Sequence, residues 1–65
     1  MNTEMLRNKV YESLEWLVEE DSLDPEQVRS EINECSVISD FREIYRKYGY
    51  TSNEGTEMIL KILSC

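Results

Sequence analysis

Sixty-five residues make one domain, and a chain that short hides only about 60% of its unfolded surface, so modest stability is expected and a homodimer is one route to more. With 40% apolar and 32% charged residues, no apolar run near the roughly 20 residues of a membrane span, and a Met-Asn-Thr-Glu start unlike a secretory signal, the composition predicts a folded cytoplasmic domain without membrane insertion. The formal charge of −7 lies wholly in residues 1–35, where ten acidic side chains face three basic ones, while residues 36–65 balance at four and four; such a surface repels nucleic-acid phosphates and anionic lipid.

The first helix is predicted to start at Asn2 or Thr3 and to run to about Asp21. Leu6, Val10, Leu14 and Leu17 form its apolar stripe, flanked by Tyr11 and Val18. At about 100° per residue, Met5 and Trp16 project nearly opposite that stripe, among Glu12, Glu19 and Glu20. A tryptophan there either packs beneath the C-terminal helix or meets another molecule, since large aromatics are seldom left fully exposed. The charges of this helix are also reversed. Arg7 and Lys9 lie toward its N-terminal end and Glu12, Glu15, Glu19, Glu20 and Asp21 toward its C-terminal end, against the preference of the helix dipole. Glu15 and Glu19 are like charges four residues apart, a repulsion of roughly a few tenths of a kcal/mol. Two structural explanations compete with a binding face: neutralisation by Arg42, Arg46 and Lys47 within the chain, or an acidic surface that only confers solubility.

A second helix start is marked by Asp24 as N-cap, Pro25 at the first helical position and Gln27 at capping-box spacing, with Leu23 and Val28 placed for a hydrophobic staple. Val28, Ile32 and Cys35 mark its buried face, leaving Arg29, Glu31 and Glu34 outside. No Gly or Pro interrupts the chain from there to Tyr48, yet one straight helix would put Val28 and Tyr48 on nearly opposite faces. A break near Ser36 is therefore predicted, with Ser36 or Ser39 capping the third helix. Over residues 37–49, Val37, Phe41, Ile44 and Tyr48 share one face with Ile38 and Tyr45 beside them, and Gly49 stands where a left-handed cap is wanted. This is the most aromatic segment and the only net-basic one, and the other helices are expected to cover it. Thr51 and Glu54 again have capping-box spacing, and the run from Met58 to Leu63, apolar nearly all round, suits a last helix buried on most sides. The predicted architecture is all-α: a compact bundle of three to four short helices in a single domain.

Motifs that carry chemistry are sparse. The absence of histidine removes the usual general base and the Ser-His and Cys-His pairs, and a bundle this small offers little concavity, so no enzyme activity and no cofactor are expected. Cys35 and Cys65 have no zinc-ligand or C-x-x-C spacing; two reduced thiols are expected, with Cys35 buried. Glu19, Glu20, Asp21 and Asp24 lack the alternating pattern of a calcium loop and read as a solvated acidic corner.

Asp21, Ser22 and Leu23 resemble the Asp-Ser-Leu of acyl carrier proteins, whose serine carries phosphopantetheine at a helix start. The likeness covers three or four residues, the long loop before the serine is missing, and the cap at Asp24 accounts for the segment. Residues 42–62 resemble a helix-turn-helix with Gly49 at the turn. Tyr45 stands where that motif has a small residue, and the second helix offers Asn53, Glu54 and Glu57 with no basic residue before Lys61. The function these residues predict is a small acidic protein-interaction module, an inhibitor or adaptor for a basic protein partner, with mimicry of nucleic-acid phosphates as its sharper form. Trp16 is its anchor, ringed by Glu12, Glu15, Glu19 and Glu20. The alternative is a DNA-binding regulator using Arg42, Arg46 and Lys47.

Overall fold

A computed structural model describes residues 2–64, which form four α-helices and no strand: α1 (Thr3–Glu20), α2 (Pro25–Asn33), α3 (Ile38–Lys47) and α4 (Ser52–Leu63). Each begins where a side chain takes up N–H groups that have no partner inside the helix. Asn2 Oδ1 accepts from Met5 N–H at 3.0 Å to open α1. Asp24 accepts from Glu26 N–H at 3.0 Å to open α2 with Pro25 at its first position, so the N-cap falls where expected, but the bond goes to the second helical residue and not to Gln27, and the expected capping box is not formed. At α4 the box is complete: Thr51 Oγ1 accepts from Glu54 N–H at 3.1 Å, and Glu54 Oε1 accepts from Thr51 N–H at 2.8 Å.

The break between α2 and α3 falls where expected, but neither Ser36 nor Ser39 caps the new helix. Asp40 reaches back from the first turn instead, its Oδ2 accepting from the backbone N–H of Ser36 at 2.9 Å and of Val37 at 3.3 Å. These two bonds, Ser36 first, hold the Asp40 carboxyl below the ordinary 3.8. A carboxylate with a depressed folded pKa stabilises the fold above its unfolded pKa, and that contribution is lost as pH falls through the folded value. Asp40→Asn is therefore expected to lower the melting temperature at neutral pH, with the gap to the parent chain narrowing as the solution is taken well below pH 3.8. Thermal melts of both chains across the acid range check this.

Two helices end on the same device. After α3, Gly49 adopts φ +99°, Gly49 N–H donates to Arg46 C=O at 3.2 Å and Tyr50 N–H to Tyr45 C=O at 3.0 Å, the paired bonds of a Schellman cap. After α1 the pattern repeats, with Leu23 N–H donating to Val18 C=O at 2.9 Å and Ser22 in the left-handed position at φ +53°. A serine there lacks the freedom of glycine, and the left-handed conformation costs an L-residue roughly 1 kcal/mol or more. Ser22→Gly is expected to stabilise the domain by about 1 kcal/mol, raising its melting temperature by roughly 5 °C, as calorimetry would show.

The core joins all four helices: Leu6, Val10, Tyr11, Leu14 and Val18 of α1, Val28 and Ile32 of α2, Cys35 of the connection, Phe41, Ile44 and Tyr45 of α3, and Ile59 of α4. Three expectations are corrected. Leu17 is only half-buried, because the buried stripe of α1 is turned toward Tyr11 and Val18, where α2 and Leu23 pack. Val37 and Ile38 are exposed, since α3 begins at Ile38 and Val37 is the extended residue ahead of it. Leu60 is 59% exposed, because α4 packs on α1 and α3 with one side open rather than being buried on most sides.

Polar ties lock the helices in place. Ser13 Oγ lies 2.7 Å from Val10 C=O, which can only accept, so the serine proton is committed there and the Tyr45 hydroxyl, 2.6 Å away, donates to Ser13. Arg7 donates twice to Cys35 C=O, from Nε at 3.2 Å and Nη2 at 2.7 Å, fixing the α2–α3 connection to α1. Glu31 accepts from both Lys47 and the Tyr48 hydroxyl, joining α2 to the end of α3. The radius of gyration, 10.8 Å, matches the value of about 10.7 Å for a compact chain of this length. Among the described residues no helix is long and apolar enough to cross a membrane.

Candidate partner-binding face

The outer face of α1 is where the chain breaks its own local rules. Trp16 is 56% exposed, and its indole N–H donates to the Tyr50 hydroxyl at 3.2 Å. The Tyr50 ring in turn meets the Tyr45 ring edge to face, with centroids 5.3 Å apart at 81°. Tyr45 is fully buried and donates to Ser13, so a continuous line of contacts runs from the core to one edge of the exposed indole. Trp16 neither packs beneath α4 nor stands unsupported.

Around it, Glu12, Glu15, Glu19 and Glu20 are all exposed. Glu12 pairs with Lys9 on its own helix at 3.7 Å, and no ion pair reaches Glu15, Glu19 or Glu20 among the described residues. The last turn of α1 holds no basic residue. Neutralisation by α3 does not occur in this fold: Lys47 pairs with Glu31 of α2, and Arg42 and Arg46 project into solvent without an ion pair to α1. Among the described residues the reversed charge of α1 thus has no ion-pair partner along Glu15, Glu19 and Glu20.

Tyr50 is the member of this face that sequence reasoning missed, and the signal was present. In a Schellman cap the residue after the left-handed glycine lies over the residue five before it, and Tyr50 follows Gly49 by one and Tyr45 by five. Gly49 thereby fixes the position of the tyrosine that receives the Trp16 N–H.

The helix-turn-helix likeness can be placed against the same geometry. A Cβ on Gly55 would lie 3.1 Å from Tyr45 Cβ, so the close approach of α3 and α4 uses a small residue on α4 facing a large one on α3. The motif expects the small residue on the first helix; here the sizes are exchanged. The exposed residues of α4 are Asn53, Glu54, Glu57, Leu60 and Lys61, with Glu54 occupied by the Thr51 cap.

Other chemistry-bearing groups are turned inward or dispersed. Cys35 is buried, and burial, with the nearby Asp40 and Glu34 charges, pushes its thiol above the ordinary range against the opposing pull of Arg7, which keeps it protonated and poorly nucleophilic at neutral pH. Cys65 lies outside the described residues. Burial also raises the Tyr45 hydroxyl. No group of three or more His, Cys, Asp or Glu side chains is placed to hold a metal ion among the described residues, Glu19, Glu20, Asp21 and Asp24 included. Ser22 occupies the turn after α1, three residues ahead of α2, and not the helix start that the acyl-carrier likeness implies. Two surface hollows lie along single helices, one lined by Asn2, Met5, Asn8 and Glu12 and the other by Glu57, Leu60, Lys61 and Ser64. Comparison with protein-family models, with curated proteins and with solved structures gives no match to this chain.

Proposed function

We propose that the chain is a small acidic protein-interaction module, an inhibitor or adaptor that presents the outer face of α1 to a basic protein partner. One observation carries this: the sole tryptophan stands exposed beside Glu15, Glu19 and Glu20, which no ion pair reaches among the described residues. Aromatic anchors ringed by charge suit recognition, the ring supplying contact area and the charges steering the encounter. The same charge pattern supports mimicry of nucleic-acid phosphates toward a DNA- or RNA-binding protein as the sharper form of the proposal.

Binding to basic nucleic-acid-binding proteins, measured in rising salt, is the test. Affinity should fall steeply as salt screens the glutamates, and Trp16→Ala should weaken binding by about tenfold or more while changing stability by no more than about 1 kcal/mol. Affinity indifferent to salt, or to Trp16, would remove this reading. Exposed Arg42 and Arg46, both on α3, favour the second reading, a DNA-binding regulator. Retention of DNA at physiological salt in a gel shift, lost on Arg46→Gln, would promote it.

A further inference from the structure

One cation already stacks on an aromatic ring of α1. The Arg29 guanidinium lies 3.8 Å from the centroid of the Tyr11 ring, covering that tyrosine from α2. Five residues on, and so about 140° around the helix, Trp16 offers a larger and more electron-rich ring, over which no cation of this chain lies among the described residues. Glu12 and Glu20 stand one turn before and one turn after it, in a single row with Cβ atoms about 6 Å from its own, and Glu19 stands beside Glu20. Glu12 is shared with Lys9, which leaves Glu19 and Glu20 as the carboxylates open to an incoming cation. The indole edge bearing N–H is engaged by Tyr50, so the ring enters any contact with part of its freedom already spent.

We infer that Trp16 with Glu19 and Glu20 forms a receptor for an arginine side chain on the partner protein. Two cations could meet this face, and their shapes decide between them. A guanidinium is planar, stacks on the indole, and still directs its N–H groups outward past the ring edge to a carboxylate one turn away. An ammonium is a compact, strongly hydrated point charge that meets the ring or the carboxylate but does not span both. The face therefore discriminates between two basic segments of equal net charge according to whether arginine or lysine occupies the central position. This rests on the proposed acidic-face function and adds to it the residue type that the partner must present.

The chain contains one tryptophan, so its indole emission reports occupancy of this site directly. Two basic peptides of equal length and net charge, differing only in a central arginine or lysine, are titrated against the whole chain by fluorescence and calorimetry. The arginine peptide is expected to bind roughly five- to tenfold tighter and to shift the indole emission. That preference should vanish in Trp16→Leu, followed by calorimetry, and shrink in Glu20→Gln, with thermal melts confirming that both variants fold. Equal affinity for the two peptides, binding of neither, or a preference that survives Trp16→Leu overturns the inference. An emission shift that grows with protein concentration alone, with a matching rise in mass in solution, places a second copy of the chain on this face and overturns it too. Equal and salt-sensitive binding of both peptides, with basic proteins still captured through Trp16, removes the arginine receptor and leaves the acidic interaction module standing. Salt-indifferent binding of basic proteins removes both.

Discussion

Tyr45→Ala is expected to leave the domain largely unfolded at ambient temperature. Tyr45 is the largest fully buried side chain and belongs to α3, yet it reaches Ser13 of α1 and Tyr50 beyond the Gly49 turn. Truncating a buried aromatic costs about 3–5 kcal/mol through lost transfer free energy and the cavity left behind. A 65-residue domain has in total about 3–10 kcal/mol to lose. Tyr45→Phe keeps the ring and removes only the hydroxyl, and because Ser13 retains its bond to Val10, the loss should be nearer 1 kcal/mol. Denaturant titrations followed by circular dichroism separate the two: a midpoint close to zero for Tyr45→Ala, and a small shift for Tyr45→Phe. A Tyr45→Ala chain as stable as the parent would mean that α3 is not the element on which the others are assembled.

Gly55→Leu is expected to cost about 3 kcal/mol, although leucine is the better helix former by nearly 1 kcal/mol. Even the first added carbon falls 3.1 Å from Tyr45 Cβ and 3.7 Å from Arg42 C=O, and neither is the far end of a flexible side chain. The remaining atoms of leucine must then enter a contact that has no space, forcing α4 away from α3. Because Tyr50 joins these two helices, the same displacement should break the Trp16–Tyr50 bond. The expected result is a lower melting temperature together with a red shift of indole emission in the folded state. An unchanged melting temperature would show that α3 and α4 can separate without penalty.

The two glycines mark the boundary between what was readable in the chain and what was not. Gly49 announced its own role, since a left-handed cap is a local backbone requirement that only nearby residues satisfy. Gly55 lies inside a helix with ordinary backbone, and nothing local demands glycine there. Its reason is a residue ten positions earlier on another helix. The acidic face divides the same way. Helical periodicity alone put Trp16 among Glu12, Glu19 and Glu20 on the side away from Leu6, Val10 and Leu14. Whether α3 would turn Arg42, Arg46 and Lys47 toward that face depended on how the third helix crosses the first, and Lys47 meets Glu31 instead.

The amino-acid sequence by itself determined an all-α chain of three to four helices, starting caps at Asn2 or Thr3, Asp24 and Thr51, the left-handed end at Gly49 and the separation of an acidic outer face from an apolar stripe. Each depends on hydrogen bonds and periodicities spanning five residues or fewer, which neighbours in the chain fix unaided. Only the tertiary structure decided that Leu17 and Leu60 stay partly in solvent, that Tyr50 holds the indole, and that Glu15, Glu19 and Glu20 are left without ion pairs among the described residues. Those outcomes follow from the angles at which short helices cross. Such angles are set by side-chain volumes meeting across the core, as Gly55 meets Tyr45, and are not written in any one segment.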